Sequence, residues 1–207
     1  MLWNLLDGKA YTATELALAA DISSTSASNH LSKLLEADLL KVEAQGRHRY
    51  YAFARPEVAY VIESMANLSN KTTHANKEDK QDVAGIKYCR SCYDHLAGQV
   101  GVRITEALET KKLIRKFNRE YTITGKGWQW LLQLDIHNEH IENGRRSLAR
   151  QCLDWSERKP HIAGQIGALL MQKMFERNWL RKMQFSRELI ITSKGKKKIY
   201  ELLGIQL

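Results

Sequence analysis

Long apolar runs are missing from this sequence, and no stretch of about 18 apolar residues exists that would span a membrane. The first seven residues have no basic region and too short an apolar run for a secretory signal. Cysteine is also scarce, and three cysteines do not fit the disulfide framework of a secreted protein. We therefore expect a cytoplasmic protein that does not bind a membrane.

Proline and glycine are few as well, at two and twelve residues, which excludes collagen-like and low-complexity proteins. The chain has 207 residues, 43% of them apolar, which is enough to build a core without disulfides. Its basic side chains outnumber the acidic ones and give a net charge of +9. This excess favours a polyanionic partner, with nucleic acid as the first candidate.

The charge is unevenly distributed along the chain. Residues 70–84 are polar, carry three basic and three acidic side chains, and predict a linker. Residues 1–69 carry six basic and eight acidic side chains, a net charge of −2, whereas residues 85–207 carry 23 and 12, a net charge of +11. The sequence thus predicts an N-terminal domain over 1–69 and a basic C-terminal domain over 85–207.

The N-terminal domain has the pattern of a winged helix-turn-helix. Thr12 and Glu15 fit a capping box that opens a short helix. A serine then opens a second helix whose apolar residues have helical spacing. Residues 39–43 and 48–53 predict two strands around a glycine turn, and a proline opens a last helix.

The second helix of this motif has small hydroxyls and an amide on its outer face, which suit the major groove of DNA. Asn29 can pair in bidentate fashion with adenine, and basic residues of the wing can reach phosphates or the minor groove. The alternative is that the hydroxyls only cap and solvate the helix. The predicted DNA-binding residues are Ser24, Thr25, Ser28, Asn29, His30, Lys33, Gln45, Arg47 and Arg49.

Five short motifs follow one another in register between residues 10 and 60: Glu15-Leu16-Ala17, Ser26-x-Ser28-x-His30-Leu31-x-x-Leu34, Leu39-Leu40, Gly46-Arg47 and Tyr50-Tyr51. Together they resemble the ArsR family of winged-helix repressors. The resemblance implies a homodimer that binds an inverted-repeat operator through a helix over 24–37 and is released by an inducer. Further on, the order CYDHLAGQVG … CLDWSERKPHIAG resembles a longer subgroup of this family with a C-terminal extension.

Two departures from the family pattern concern the dimer and the metal sites. The family has a helix before this motif that helps the dimer, and here only a few apolar residues within 2–6 supply part of it. Metal-sensing members carry cysteines on the first helix of the motif, or Asp and His on the last. Residues 12–20 and 56–68 contain neither Cys nor His, so those metal sites are absent.

The C-terminal domain contains an internal repeat. The heptapeptide HLAGQVG, which begins at His95, returns at His161 as HIAGQIG, and an Ile-Thr-x-Lys-Gly motif follows each copy. Each copy, at about 92–136 and 158–205, predicts a helix that begins at the histidine, a hairpin and a closing helix. A linking helix over about 137–153 would join them. We expect a mainly helical α+β fold, with a winged helix-turn-helix followed by a pseudo-twofold pair of degenerate winged-helix-like repeats.

Two glycines in each heptapeptide fall inside the predicted helices, where glycine costs about 1 kcal/mol relative to alanine. They are Gly98, Gly101, Gly164 and Gly167. This cost indicates a packing role, and we favour two helices that cross closely over the approach of a ligand to the backbone.

The candidate effector or thiol residues are Cys89, Cys92, His95, Cys152 and His161. A Cys-x-x-Cys pair can bind metal or form a redox couple, and Cys89, Cys92, His95 and Cys152 would make a Cys₃His set. A single Cys-x-x-Cys is a weak metal signal, and buried inert thiols are the alternative. We predict no metal site and no cofactor. The histidines are expected to cap or pack, because no nucleophile–base set is apparent.

The leading hypothesis is a homodimeric, sequence-specific DNA-binding regulator without enzymatic activity. It would be a repressor that a small-molecule or redox effector releases. A thiol-disulfide or metal-binding protein that uses Cys89 and Cys92 is the second hypothesis. An interaction adaptor that does not bind DNA is the third.

Overall fold

The computed structural model describes residues 1–69, 85–141, 146–183 and 186–207. The chain folds as two compact units, Met1–Asn70 and Lys71–Leu207. The predicted linker at 70–84 lies outside the described residues. Among the helices of the described residues, none is both long enough and apolar enough to cross a membrane.

The N-terminal unit is a helix-turn-helix followed by a hairpin and a helix. The capping box is confirmed: the Thr12 hydroxyl accepts a hydrogen bond from the Glu15 amide, and the Glu15 carboxylate accepts one from the Thr12 amide. Ser23 caps the second helix by accepting from the Ser26 amide. The elements are a 3-10 helix (Leu2–Asp7), β1 (Tyr11–Thr12), α1 (Ala13–Ala19), α2 (Ser24–Glu36), β2 (Leu40–Gln45), β3 (His48–Phe53) and α3 (Pro56–Ser69).

A two-residue strand that the sequence did not indicate completes the sheet of this unit. Strand β1 pairs with β3, and β3 pairs with β2, all antiparallel. The β2–β3 hairpin turns at Gly46, whose φ of +59° lies in the left-handed region that favours glycine. The core of the unit is formed by apolar side chains of all its helices and of the sheet, including Leu5, Leu6, Leu16, Ala27, Leu31, Phe53 and Val58.

The C-terminal unit alternates short antiparallel strands with helices. Its elements are β4 (Arg90–Cys92), β5 (His95–Ala97), α4 (Gly98–Thr110), β6 (Ile114–Phe117), β7 (Glu120–Ile123), α5 (Gly125–Leu132), a 3-10 helix (Asn138–His140), β8 (Arg150–Leu153), β9 (Pro160–Ala163), α6 (Gly164–Glu176), β10 (Leu180–Lys182), β11 (Leu189–Ile191) and α7 (Ser193–Leu203). The sheets are β4–β5, β6–β7–β8–β9 and β10–β11. The run from β5 to α5 therefore has the same order of elements as the run from β9 to α7.

The Ile-Thr-x-Lys-Gly motif opens the closing helix of each run. Thr124 precedes α5, and its hydroxyl accepts a hydrogen bond from the Gly127 amide at 2.9 Å. Thr192 precedes α7 and accepts from the Gly195 amide at 3.0 Å. Both threonines are therefore N-caps, which explains why this motif occurs twice.

The helices predicted to begin at the two histidines begin three residues later. His95 and His161 lie in strands β5 and β9, and the helices begin at Gly98 and Gly164. These glycines have φ values of +77° and +81°, where the chain turns from strand to helix. Residues with a Cβ rarely adopt this conformation, so glycine is needed at both turns.

Within the described residues, the linking helix predicted over 137–153 is wrong, and residues 142–145 of that range lie outside the described part of the chain. A short 3-10 helix covers Asn138–His140, and residues 150–153 form strand β8. This strand pairs with β7 on one side and with β9 on the other. Pairing with β7, about 30 residues earlier in the sequence, and with the following strand β9 outweighs the local preference for a helix.

Packing explains the glycines inside helices α4 and α6, but the neighbour is not a second helix. A Cβ on Gly101 would lie 2.5 Å from the carbonyl oxygen of Leu96 and 3.8 Å from Cβ of His161. Likewise, a Cβ on Gly167 would lie 2.6 Å from the carbonyl oxygen of Ile162 and 3.2 Å from Cβ of His95. Each glycine thus lets its helix approach a strand and the histidine of the other half.

Replacing Gly101 with alanine should destabilise the C-terminal unit by about 1–3 kcal/mol, because the new methyl group would displace backbone rather than a mobile side chain. Urea unfolding of the full-length protein, followed by tryptophan fluorescence, measures this effect, since four of the five tryptophans lie beyond residue 84. The matched control is Gly125→Ala, where no atom lies within 4 Å of the added Cβ. Equal destabilisation by both variants would contradict the packing role.

Candidate functional site

Helix α2 is fixed on one side and exposed on the other. Ala27 and Leu31 are buried, while all six residues of this helix that we predict to contact DNA are exposed. Thr25, Asn29 and Lys33 are four residues apart and so lie on one face. His30 is exposed too, but it lies about 100° further round the helix axis than Asn29. The outer face of α2 is therefore available to a ligand.

The hairpin β2–β3 presents the other predicted DNA-binding residues. Gln45 ends β2, Arg47 follows the Gly46 turn and Arg49 lies in β3, and the side chains of Gln45, Arg47 and Arg49 are exposed. Arg49 pairs with Ala44 across the hairpin. The tip of this wing thus carries two cations in a unit whose net charge is −2.

A second candidate site is buried in the C-terminal unit, where two β-hairpins face each other. Cys92 and His95 are cross-strand partners in the β4–β5 hairpin, and Cys152 and His161 are cross-strand partners in the β8–β9 hairpin. Directly opposite residues of an antiparallel pair point to the same face, so each hairpin presents one thiol and one imidazole together.

The four side chains converge on one point. Their nearest sulfur and nitrogen atoms all lie within 4.8 Å of one another. The two sulfur atoms are 3.9 Å apart, and Nε2 of His95 is 3.1 Å from Nε2 of His161. Cys92 and both histidines are fully buried, whereas Cys152 has intermediate exposure. We call this group the Cys–His cluster.

Each imidazole of the Cys–His cluster has a carboxylate beside its other ring nitrogen. Nδ1 of His95 lies 3.2 Å from Oδ1 of Asp94, and Nδ1 of His161 lies 3.5 Å from Oδ2 of Asp154. An ionised carboxylate only accepts hydrogen bonds, so it favours a proton on Nδ1. We therefore place a proton on Nδ1 of both rings, which directs both Nε2 atoms at the centre of the cluster.

The two carboxylates are themselves held by arginines. Burial alone would raise the pKa of Asp94, but His95 and Arg146 lower it below its usual value. Asp154 is fully buried and bonded to Arg90 at 2.8 Å. Burial opposes its ionisation as well, and the nearby positive charges still lower its pKa to about 2.

The titration of the cluster favours a thiolate beside an imidazolium. Burial lowers the pKa of His95, but Asp94 and Cys152 raise it to about 9. A hydrogen bond from Cys92 and the adjacent histidines lower the pKa of Cys152 well below its ordinary value, against the effect of burial. A thiolate of this kind can ligate metal or attack a disulfide.

Cys89 lies outside the Cys–His cluster. The cluster therefore differs from the Cys₃His set that the sequence suggested. The fourth member of the cluster is His161 instead of Cys89. Cys89 is fully buried, and burial raises its pKa to about 12, which disfavours reaction of this thiol. The second hypothesis requires a reactive Cys89–Cys92 pair, and an unreactive Cys89 thiol disfavours it.

The carboxylates and arginines around the cluster are not predicted from the sequence. Two Cys-x-Asp stretches were the available signal, because they place Asp94 and Asp154 at the same offset after Cys92 and Cys152. The arginines give no such signal, since each pairs with the carboxylate of the other hairpin, more than 50 residues away. Nor are the histidines helix caps, because they lie in strands.

Comparison with known proteins identifies the family. A family model described as a helix-turn-helix domain matches residues 1–43. An uncharacterized HTH-type transcriptional regulator, YdfF of Bacillus subtilis (strain 168), is 39% identical over 207 residues, which cover 100% of this chain and 92% of the relative. No solved structure matches. From the helix-turn-helix in the first 43 residues and the likeness to YdfF along the whole chain, we conclude that the protein belongs to the helix-turn-helix transcriptional regulators.

Proposed function

We propose that the protein is a homodimeric repressor of the ArsR type that binds an inverted-repeat operator through helix α2 and the β2–β3 wing. One observation carries the proposal: the residues predicted to bind DNA are all exposed, while Ala27 and Leu31 fix the opposite face of α2 in the core. A helix held in this way can enter the major groove without losing its packing.

The side chains on this surface divide between base and phosphate contacts. Asn29 supplies an amide that pairs in bidentate fashion with adenine, and the serines and threonine are small enough for a close approach to the groove. Arg47 and Arg49 contact the backbone beside the wing. Because the unit carries a net charge of −2, affinity depends on these few cations rather than on a broad basic surface.

Helix α3 offers a surface for a homodimer. Val61 and Met65 are four residues apart on this helix and are 60% and 56% exposed. Large apolar side chains that share an exposed helix face are typical of a self-association surface. A twofold dimer through this helix would present two copies of α2 to the two halves of an inverted repeat.

The C-terminal unit is proposed as the effector or dimerisation domain, built from two degenerate winged-helix-like repeats. The shared order of elements from β5 to α5 and from β9 to α7 supports a repeat. An apolar cavity between these halves has a volume of about 30 Å³. It has room for only one or two water molecules, so an organic effector would have to bind elsewhere.

A redox signal is a second candidate for release from DNA. The sulfur atoms of Cys92 and Cys152 are 3.9 Å apart, and a disulfide needs about 2.05 Å. A mild oxidant that accepts two electrons would couple them and shift both hairpins. We propose no catalytic role, in keeping with a transcriptional regulator.

Replacing Arg47 with alanine should weaken operator binding and reduce the slope of log affinity against log salt by about one, because one phosphate contact is lost. Footprinting on the DNA upstream of the protein's own gene locates the site, and titrations at several salt concentrations give the slope. The expected footprint of the wild type is symmetric.

The charge-matched control is Lys9→Ala, which removes one cation from the same unit but lies outside α2 and the wing. This variant should keep the wild-type slope. If both variants changed the slope equally, the wing would have no special contact with phosphate. Absence of any protected site at low salt would contradict DNA binding itself.

Replacing Met65 with glutamate should shift the protein toward monomers and weaken operator binding, because a charge would be buried in the proposed α3 interface. Analytical ultracentrifugation over a range of protein concentrations measures the change. Leu18→Glu is the control, since Leu18 is 83% exposed on α1 rather than α3. A Met65→Glu dimer as stable as the wild type would place the interface elsewhere.

A further inference from the structure

We infer that the Cys–His cluster is a closed tetrahedral binding site for one divalent cation of the zinc class, with Cys92, His95, Cys152 and His161 as its four ligands. This site goes beyond the proposed function, because it does not depend on DNA binding. It is also an alternative to the redox signal, because Cys92 and Cys152 cannot form a disulfide while both ligate the ion. It reverses our sequence-based expectation that the chain has no metal site.

The distance between the two sulfurs and the distance between the two Nε2 atoms fit a single tetrahedral ion. Zinc bonds sulfur at about 2.3 Å and imidazole nitrogen at about 2.0–2.1 Å, which gives tetrahedral edges of about 3.8 Å between two sulfurs and about 3.3 Å between two nitrogens. The corresponding distances in the cluster are 3.9 Å and 3.1 Å. All four atoms are within 4.8 Å of one another, so small side-chain movements would bring all of them to the bond lengths of one ion.

The surroundings of the imidazoles fit metal ligation as well. Histidine ligands commonly direct their second ring nitrogen at a carboxylate, which fixes the ring and the tautomer. Asp94 and Asp154 have this position beside His95 and His161. With Nδ1 protonated in both rings, two Nε2 lone pairs face each other at 3.1 Å in a buried site. They repel unless a proton or a metal ion lies between them.

The buried charges balance for a divalent ion. Two thiolates carry a charge of −2, which a divalent cation neutralises. The remaining charges pair across the hairpins, since Arg146 bonds Asp94 and Arg90 bonds Asp154. A buried site whose charges cancel avoids the large cost of an isolated ion in a protein interior.

The donor types select the class of metal. Two sulfurs and two imidazole nitrogens in a tetrahedron favour zinc, whereas magnesium and calcium require oxygen ligands. Four protein ligands leave no open position for water or substrate, which is typical of structural rather than catalytic zinc. The ion would therefore join the β4–β5 hairpin to the β8–β9 hairpin.

Full-length protein purified under reducing conditions should contain about one zinc ion per chain, as measured by elemental mass spectrometry. Exchange of zinc for cobalt should give the intense visible bands of tetrahedral cobalt together with thiolate-to-cobalt charge transfer. Both measurements are made without DNA, so their failure would leave the proposed DNA binding untouched. Cys152→Ser and His161→Gln should each abolish stoichiometric binding.

Cys89→Ala is the matched control, because it removes a fully buried cysteine that is three residues from Cys92 and outside the cluster. It should retain one ion and the wild-type cobalt spectrum. Asp94→Asn keeps all four ligands and should weaken zinc affinity about 10- to 100-fold in competition with a chromophoric chelator. This variant tests the site even if the ligand variants do not fold.

Three results would overturn the inference. The first is wild-type protein that takes up neither zinc nor cobalt under reducing conditions. The second is a cobalt spectrum without thiolate charge transfer, which would place the ion elsewhere. The third is a Cys92–Cys152 disulfide that persists in the reducing buffer, as shown by intact mass, and this would make the cluster a redox pair.

Discussion

The carboxylate of Asp154 has no exposure to solvent, and much of the C-terminal unit is arranged around it. One oxygen accepts hydrogen bonds from Arg90 and from the Gly98 amide at the start of α4, while the other accepts from Ser156 and the Glu157 amide. Loss of one partner of such a buried pair leaves an uncompensated charge, at a cost of about 3–5 kcal/mol. Nδ1 of His161 lies 3.5 Å from this carboxylate, so the charge of Asp154 is next to the Cys–His cluster.

The N-terminal unit was largely predictable because its signals are local. A capping box spans four residues, a serine caps the next helix, and a glycine turn joins two strands. Each of these patterns lies within one element or at its end, and the structure has each of them. Strand β1 was missed because two residues are too few to show an alternating pattern.

The C-terminal unit was less predictable because distant contacts decide its local structure. Strand β8 exists through its pairing with β7 and β9, so a window of sequence around it gave the wrong helix. The repeated histidines were identified, but their strands are only three and four residues long, and the helical pattern that follows dominated the prediction. The left-handed glycines after each strand were the overlooked boundary signal.

The Cys–His cluster has no regular spacing for a motif search to find. Cys92 and His95 are three residues apart, Cys152 and His161 are nine apart, and yet each pair is directly opposite in a hairpin. Different turn lengths give the same cross-strand geometry. The site is therefore a property of two hairpins that meet, and only the spatial arrangement shows that His161 belongs and Cys89 does not.

Each of the two carboxylates is held by an arginine more than 50 residues away in the sequence. Arg90 donates a hydrogen bond to Asp154, and Arg146 donates one to Asp94. Helix α4 likewise packs on β9, and α6 packs on β5. Neither half thus keeps its own buried charges neutral when it is alone. A gene fragment that encodes one half would lack the partner of its buried charge, and loss of either arginine would leave a carboxylate on the other side of the unit unpaired.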